Sequence, residues 1–171
     1  MHTCPRAGIS LSNCASNLLD WSVSKYTGPI PGELDGLYQL SLGLAHVHKQ
    51  QHVHRDICPA NILIAAGGDR LIISDFGLCK MVHESGGYSV TQHHGQRKWL
   101  APERIENELD DNYRVTIDSD TWAMGCVFHF FVTKGSHPFE AKKSHEMQTN
   151  ILEGNFNLES KSSSNTSFLF K

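Results

Sequence analysis

His54-Arg55-Asp56-Ile57-Cys58-Pro59-Ala60-Asn61, followed by Asp75-Phe76-Gly77, decides the reading of this sequence. Between the two stretches lie two short apolar runs, Ile62-Leu63-Ile64 and Leu71-Ile72-Ile73. They are joined by Ala65-Ala66-Gly67-Gly68-Asp69-Arg70, a glycine-rich connection that predicts a β-hairpin. A hairpin returns the chain on itself, so Asp75 is expected to lie beside Asn61. Two carboxylates and an amide are thereby expected to gather at one end of a small sheet.

Working outward, Glu33 to Lys49 reads as a helix. Leu34, Leu37, Tyr38, Leu40, Leu44, Ala45 and Val47 recur near the 3.6-residue period and predict a wide buried face. Tyr26 to Gly32 is a turn-rich break. Ala15 to Lys25 carries Leu18, Leu19 and Trp21 and predicts a short helix with Ser16 as its cap. Asn13-Cys14 reads as a connector after a strand end at Ile9 to Leu11. Lys80 to Lys98 is polar and aperiodic, the composition of a mobile loop. Asp118 to Lys134 is apolar almost all round and predicts a central buried helix. Ser144 to Glu153 predicts another helix, and the serine-rich end, 160–171, is expected to be disordered. Asn165-Thr166-Ser167 matches a glycosylation acceptor by chance. The fold class expected is mainly α with a small β-hairpin.

Composition narrows the function. The chain has 171 residues, 39% of them apolar, and a formal net charge of -3. That balance excludes a strongly basic nucleic-acid binder and an acidic disordered chain. The longest apolar stretch, Trp122 to Val132, is interrupted by His129 and too short to span a bilayer. The first residues lack the pattern of a secretory signal. Five cysteines at scattered positions (Cys4, Cys14, Cys58, Cys79, Cys126), without a C-x-x-C pair, predict free thiols in a reducing compartment. His46, His48, His52 and His54 crowd one segment. However, His46 and His48 do not face each other on a helix, and packed or solvated histidines are expected there.

The chemistry that suits the central stretch is phosphoryl transfer. That reaction needs a group to position the attacking hydroxyl and cations to bridge the phosphates. Asp56 would orient the hydroxyl or take its proton, and Asn61 and Asp75 would hold magnesium. Downstream, Ala101-Pro102-Glu103 closes the polar loop and Asp120-Thr121-Trp122-Ala123-Met124-Gly125 opens the central helix. The four features, in this order, resemble the carboxy-terminal lobe of protein kinases. Gly43 to His48, Ile73 to Lys80, Gly125 to Phe128 and Gly135 to Phe139 resemble one branch closely: the membrane-anchored kinase/endoribonucleases that sense endoplasmic-reticulum stress in the unfolded protein response.

The resemblance implies an incomplete kinase-like carboxy-terminal lobe, cut from a parent with an α+β kinase fold. Residues 1–14 would end the amino-terminal lobe and form the hinge, 15–159 would be the partial lobe, and 160–171 the tail. It implies ATP and Mg2+ as cofactors, with Asp56, Asn61 and Asp75 as catalytic residues, the last two as metal ligands. The backbone of Asn13 and Cys14 would meet the adenine. Arg55 would pair with a phosphate on the loop, where Ser85, Tyr88, Ser89 and Thr91 offer hydroxyls. Asp120 would brace the catalytic loop, a role preferred here to that of a simple helix cap. Partners would be a protein substrate or the chain itself through autophosphorylation and self-association. This segment, cytosolic in an anchored parent, would touch neither nucleic acid nor membrane.

Three departures from the kinase pattern are visible. No glycine-rich loop or strand lysine precedes Asn13, and the sequence stops soon after Gly135 to Phe139, so a fragment is expected, inactive alone. Cys58 stands where serine/threonine kinases of this kind carry a lysine, and a thiol is no point charge. Gln96 stands in a stretch that lacks the usual supporting threonine. The alternative is a pseudokinase or partner-binding module. A small-molecule phosphotransferase shares the loop but leaves Ala101-Pro102-Glu103 unexplained.

Overall fold

The structure, a computed structural model, describes residues 13–81, 88–89, 96–107 and 114–158. The strand end expected at 9–11, most of the polar loop and the tail at 160–171 lie outside the described residues. The chain opens with β1 (Cys14–Asn17) and α1 (Leu18–Ser22), then α2 (Glu33–Lys49) and β2 (His52–Val53). The hairpin β3 (Ile62–Ala65) and β4 (Leu71–Ile73) follows, then β5 (Lys80–Met81) and β6 (Tyr88–Ser89). Last come α3 (Pro102–Glu106), β7 (Arg114–Val115), α4 (Ile117–Val132) and α5 (Ser144–Glu153).

The hairpin forms as its sequence predicts, with Ile62 opposite Ile73 and Ile64 opposite Leu71. Its turn depends on Gly68, which has a φ of +68° and no room for a Cβ against the Pro29 carbonyl. Only glycine meets both conditions without strain. A third strand goes beyond the expected hairpin. β1 pairs antiparallel with β3 and gives the sheet order β1-β3-β4. Cys14 therefore begins a strand rather than a connector, and the helix expected from Ala15 is confined to Leu18–Ser22. Asn17, not Ser16, caps it, its side chain accepting from the Asp20 N–H at 2.9 Å. The start of the polar loop forms a strand against β2: Val53 pairs with Lys80 and His52 with Met81.

The core lies between the sheet, α2 and α4. Leu40 and Leu44 of α2 meet Ile62, Ile64, Leu71 and Ile73 of the hairpin and Met124, Val127 and Phe131 of α4. The bounds of α2 agree with the sequence, but its buried face is narrower than expected. Gly36, Leu40, Leu44 and Val47 point inward, while Leu34, Tyr38 and Ala45 are exposed. The cause is Gly36: a Cβ there would collide with the Phe131 ring, so the bare Cα admits α4 and turns this stripe inward. A count of apolar side chains ignores such a glycine. Thr116 caps α4, accepting from the Asp118 N–H, and the helix buries residues on most sides. No helix among the described residues is long and apolar enough to cross a membrane. Cys14, Cys58 and Cys126 are free thiols, but Cys79 is disulfide-bonded, against the expectation for all five.

Candidate active site

The segment from β2 to β3 is held from beneath by α4. Asp120, 2% exposed, accepts from the His54 N–H at 2.7 Å through Oδ2 and from the Arg55 N–H at 2.9 Å through Oδ1. His48 Nε2 lies 3.1 Å from the same Oδ2. A single carboxylate thus satisfies two backbone donors that burial would otherwise orphan. The cap of α4 is Thr116, so Asp120 serves the loop rather than its own helix.

His54 is fully buried and fixes the orientation of the segment. Its Nδ1 accepts from the Asp56 N–H at 3.3 Å. The ring proton therefore sits on Nε2 and is donated to the Ser74 carbonyl at 2.9 Å, since a neutral imidazole has one donor and one acceptor. Burial lowers its pKa despite the raising influence of Asp120 and Asp56, which keeps the ring neutral. Its edge meets Phe76 at 4.9 Å, tying the two motifs together. Arg55 adopts φ +71° and turns the chain toward Asp56. Such a backbone is rare for a bulky residue.

Asn61 ends a 3-10 turn, Pro59–Asn61, and joins the two motifs. Its Nδ2 donates to the Asp56 carbonyl at 2.8 Å and to Asp56 Oδ2 at 2.9 Å. Its own carbonyl accepts from both the N–H and the hydroxyl of Ser74, each at 2.9 Å. Asp75 is therefore brought beside Asn61 as the hairpin predicts. Its carboxylate is exposed, accepts from the Gly77 N–H at 3.3 Å, and rests on a left-handed backbone of φ +59°. The other oxygen of Asp56, Oδ1, accepts from the Gln96 N–H at 3.3 Å. The support sought in a threonine hydroxyl is given by a backbone donor, which side-chain identity at Gln96 does not reveal.

Cys58 lies within electrostatic range of Asp56 and Asp75. It is wholly buried, and burial, followed by the Asp56 charge, pushes its pKa up to about 11. Both effects disfavour a thiolate. The thiol is neutral at the position where the motif leads one to expect a cation.

The remaining sequence-predicted residues are placed as follows. Asn13 and Cys14 border β3: the Asn13 carbonyl accepts from the Ala66 N–H at 2.9 Å, and Cys14 pairs with Ala65. β1 is an edge strand of its sheet. Arg55 is buried and its Nε donates to the Leu78 carbonyl at 2.5 Å, just beyond Gly77. Ser85 and Thr91 lie outside the described residues, whereas Tyr88 and Ser89 form β6, opposite Val115 and Arg114. Glu103 accepts from the Ser119 hydroxyl at 2.7 Å, a partner from α4 that no motif signals.

Comparison with known proteins agrees with the geometry. The family described as protein kinase domain matches residues 34–169. The chain is 31% identical to the serine/threonine-protein kinase/endoribonuclease IRE1 of Hypocrea jecorina, over 88% of this chain and 15% of that protein. It is 41% identical to the serine/threonine-protein kinase/endoribonuclease IRE2 of Homo sapiens, over 69% of this chain and 13% of the relative. The serine/threonine-protein kinase cds1 of Schizosaccharomyces pombe is 38% identical over 72% of this chain and 26% of its own length. The chain thus spans a small part of the curated relatives it matches.

Proposed function

Because the chain belongs to the protein kinase family, we propose that it carries the catalytic loop and metal-binding segment of a serine/threonine kinase of the endoplasmic-reticulum stress-sensor type. One observation carries the reading. Asn61 joins Asp56 to the Ser74-Asp75 backbone, which brings a candidate base and a candidate metal ligand to one face. The donor set fits magnesium. Asn61 commits its amide nitrogen to Asp56 and so leaves an amide oxygen for a cation, and Asp75 adds an exposed carboxylate. Hard oxygen donors, few in number, suit an ion that keeps water and phosphate ligands. When bound, magnesium-ATP supplies the phosphoryl group and the charge that offsets its oxygens. Asp56, held at Oδ1 by Gln96 and at Oδ2 by Asn61, keeps a lone pair on each oxygen for a substrate hydroxyl and its proton.

In this reading Asn13 and Cys14 contribute the adenine edge. Arg55 orders the loop when Ser85, Tyr88, Ser89 or Thr91 is phosphorylated, by the parent acting on itself in a self-associated state. The parent is anchored in the endoplasmic-reticulum membrane, with this segment in the cytosol. The chain alone binds nucleotide without rapid transfer, because a buried neutral thiol at Cys58 supplies no charge to the moving phosphate. The same observation favours a second reading, a pseudokinase that keeps the fold to dock partners. Calorimetric titration of the chain with ATP, with and without magnesium, tests the assignment. Asp75→Ala is expected to remove the magnesium-dependent part, and Asp56→Ala to preserve most of it, since a base acts in the transition state. Binding indifferent to magnesium, or equal losses in both variants, refutes it. Transfer of labelled phosphate that Asp56→Asn abolishes would overturn the claim that the chain alone is inactive.

A further inference from the structure

Arg55 combines a left-handed backbone, φ +71°, with burial at 6% exposure. Such a conformation persists in a bulky residue only where the surroundings over-determine it. Both of its backbone polar groups are held by side chains from other elements. Asp120 of α4 accepts from its N–H at 2.9 Å, and Nη1 of Arg104, on α3, donates to its carbonyl at 3.2 Å. The next peptide unit belongs to Asp56, whose carboxylate position follows from the direction the Arg55 carbonyl takes. α3 is itself fixed to α4 beside this point by the Ser119 hydroxyl on Glu103 at 2.7 Å. Arg104, Arg55, Asp56, Ser119 and Asp120 line one small cleft behind the candidate base.

We propose that Arg104 is a positioning residue: its guanidinium, opposite Asp120, clamps Arg55 in the left-handed conformation that aims Asp56, and so couples α3 to the candidate site. The coupling makes the catalytic loop sensitive to the placement of α3, which directly follows the segment from Gln96 to Ala101. The functional consequence rests on the proposed role of Asp56, but the clamp itself does not, so the two are tested separately.

The test is amide hydrogen exchange on the full chain, read residue by residue. Arg104→Met keeps the side-chain stem and removes the donor. Protection at Arg55 and Asp56 is expected to fall about tenfold, the scale of one hydrogen bond from a charged group. Protection at Val127, in the middle of α4, is expected to remain. Arg104→Lys, which keeps a charged donor, is expected to restore part of the loss. Unchanged exchange at Arg55 and Asp56, or an equal fall across α4, overturns the clamp. If Arg104→Met fails to fold, the unsubstituted chain decides: the Arg104 Nη protons should exchange and rotate slowly, and free rotation overturns the proposal. Failure of magnesium-dependent nucleotide binding would refute the kinase reading and leave these outcomes standing.

Discussion

Replacing Asp120 measures what holds the segment from His54 to Asn61. Its carboxylate is 2% exposed and accepts from two backbone donors, the His54 N–H at 2.7 Å and the Arg55 N–H at 2.9 Å. In Asp120→Ala both donors lose their acceptor in a buried place. Each orphaned donor costs about 1–3 kcal/mol, and partial relaxation of the loop limits the sum. A loss of about 3–5 kcal/mol is expected, a large share of the ~5–15 kcal/mol typical of a domain. The control is Thr116→Ala, which removes the observed cap of α4 and is expected to cost about 1 kcal/mol. Urea unfolding followed by circular dichroism gives both values, with equal slopes required for the comparison. If Asp120→Ala costs no more than Thr116→Ala, Asp120 does nothing beyond what a helix-start aspartate does, and the bracing argument is wrong.

Three further outcomes follow from burial. Cys58 and Cys126, buried with pKa values pushed up to about 11 and about 12, are expected to resist iodoacetamide in the native chain while the half-buried Cys14 reacts; peptide mass spectrometry reads the order, and equal labelling refutes it. Burial holds His137 near a pKa of about 4; the unfolded chain then binds its proton first, so stability falls as pH drops from about 6.5 to about 4, by roughly 3 kcal/mol. His137→Gln should flatten that part of the pH–stability curve, and an unchanged curve counts against the shift. Gly36→Ala gains helix propensity but drives a methyl into the Phe131 ring; overpacking of about 1–3 kcal/mol should outweigh a gain of up to about 1 kcal/mol, and a higher melting temperature would show that the α2–α4 contact yields easily.

What the sequence discloses, and what it hides, divides by the range of the interactions. The hairpin, α2, α4 and α5 are legible because each carries its own period or turn chemistry over consecutive residues. The meeting of Asn61 with the Ser74-Asp75 backbone follows from the hairpin alone. β1 is not legible because Cys14–Asn17 is a short run with little alternation, and only the edge of β3 makes it a strand. Leu34 and Tyr38 read as inward because periodicity counts side chains and overlooks the glycine that lets two helices approach.

The same distinction bears on chemistry at Cys58 and Gln96, the two positions where the motif breaks. In the proposed kinase reading, residue identity implies a loss at both: no cation for the phosphate and no hydroxyl beside Asp56. At Gln96 the backbone N–H supplies a donor to Asp56 Oδ1, so the contact survives the substitution. At Cys58 the thiol, wholly buried, stays protonated and supplies no charge. In the proposed kinase reading, positioning of Asp56 is therefore a function the main chain takes over at Gln96, whereas nothing at Cys58 replaces the charge of the expected lysine. The two departures are not equal evidence for a pseudokinase. Gln96 is compatible with either reading, and the weight of that alternative rests on Cys58.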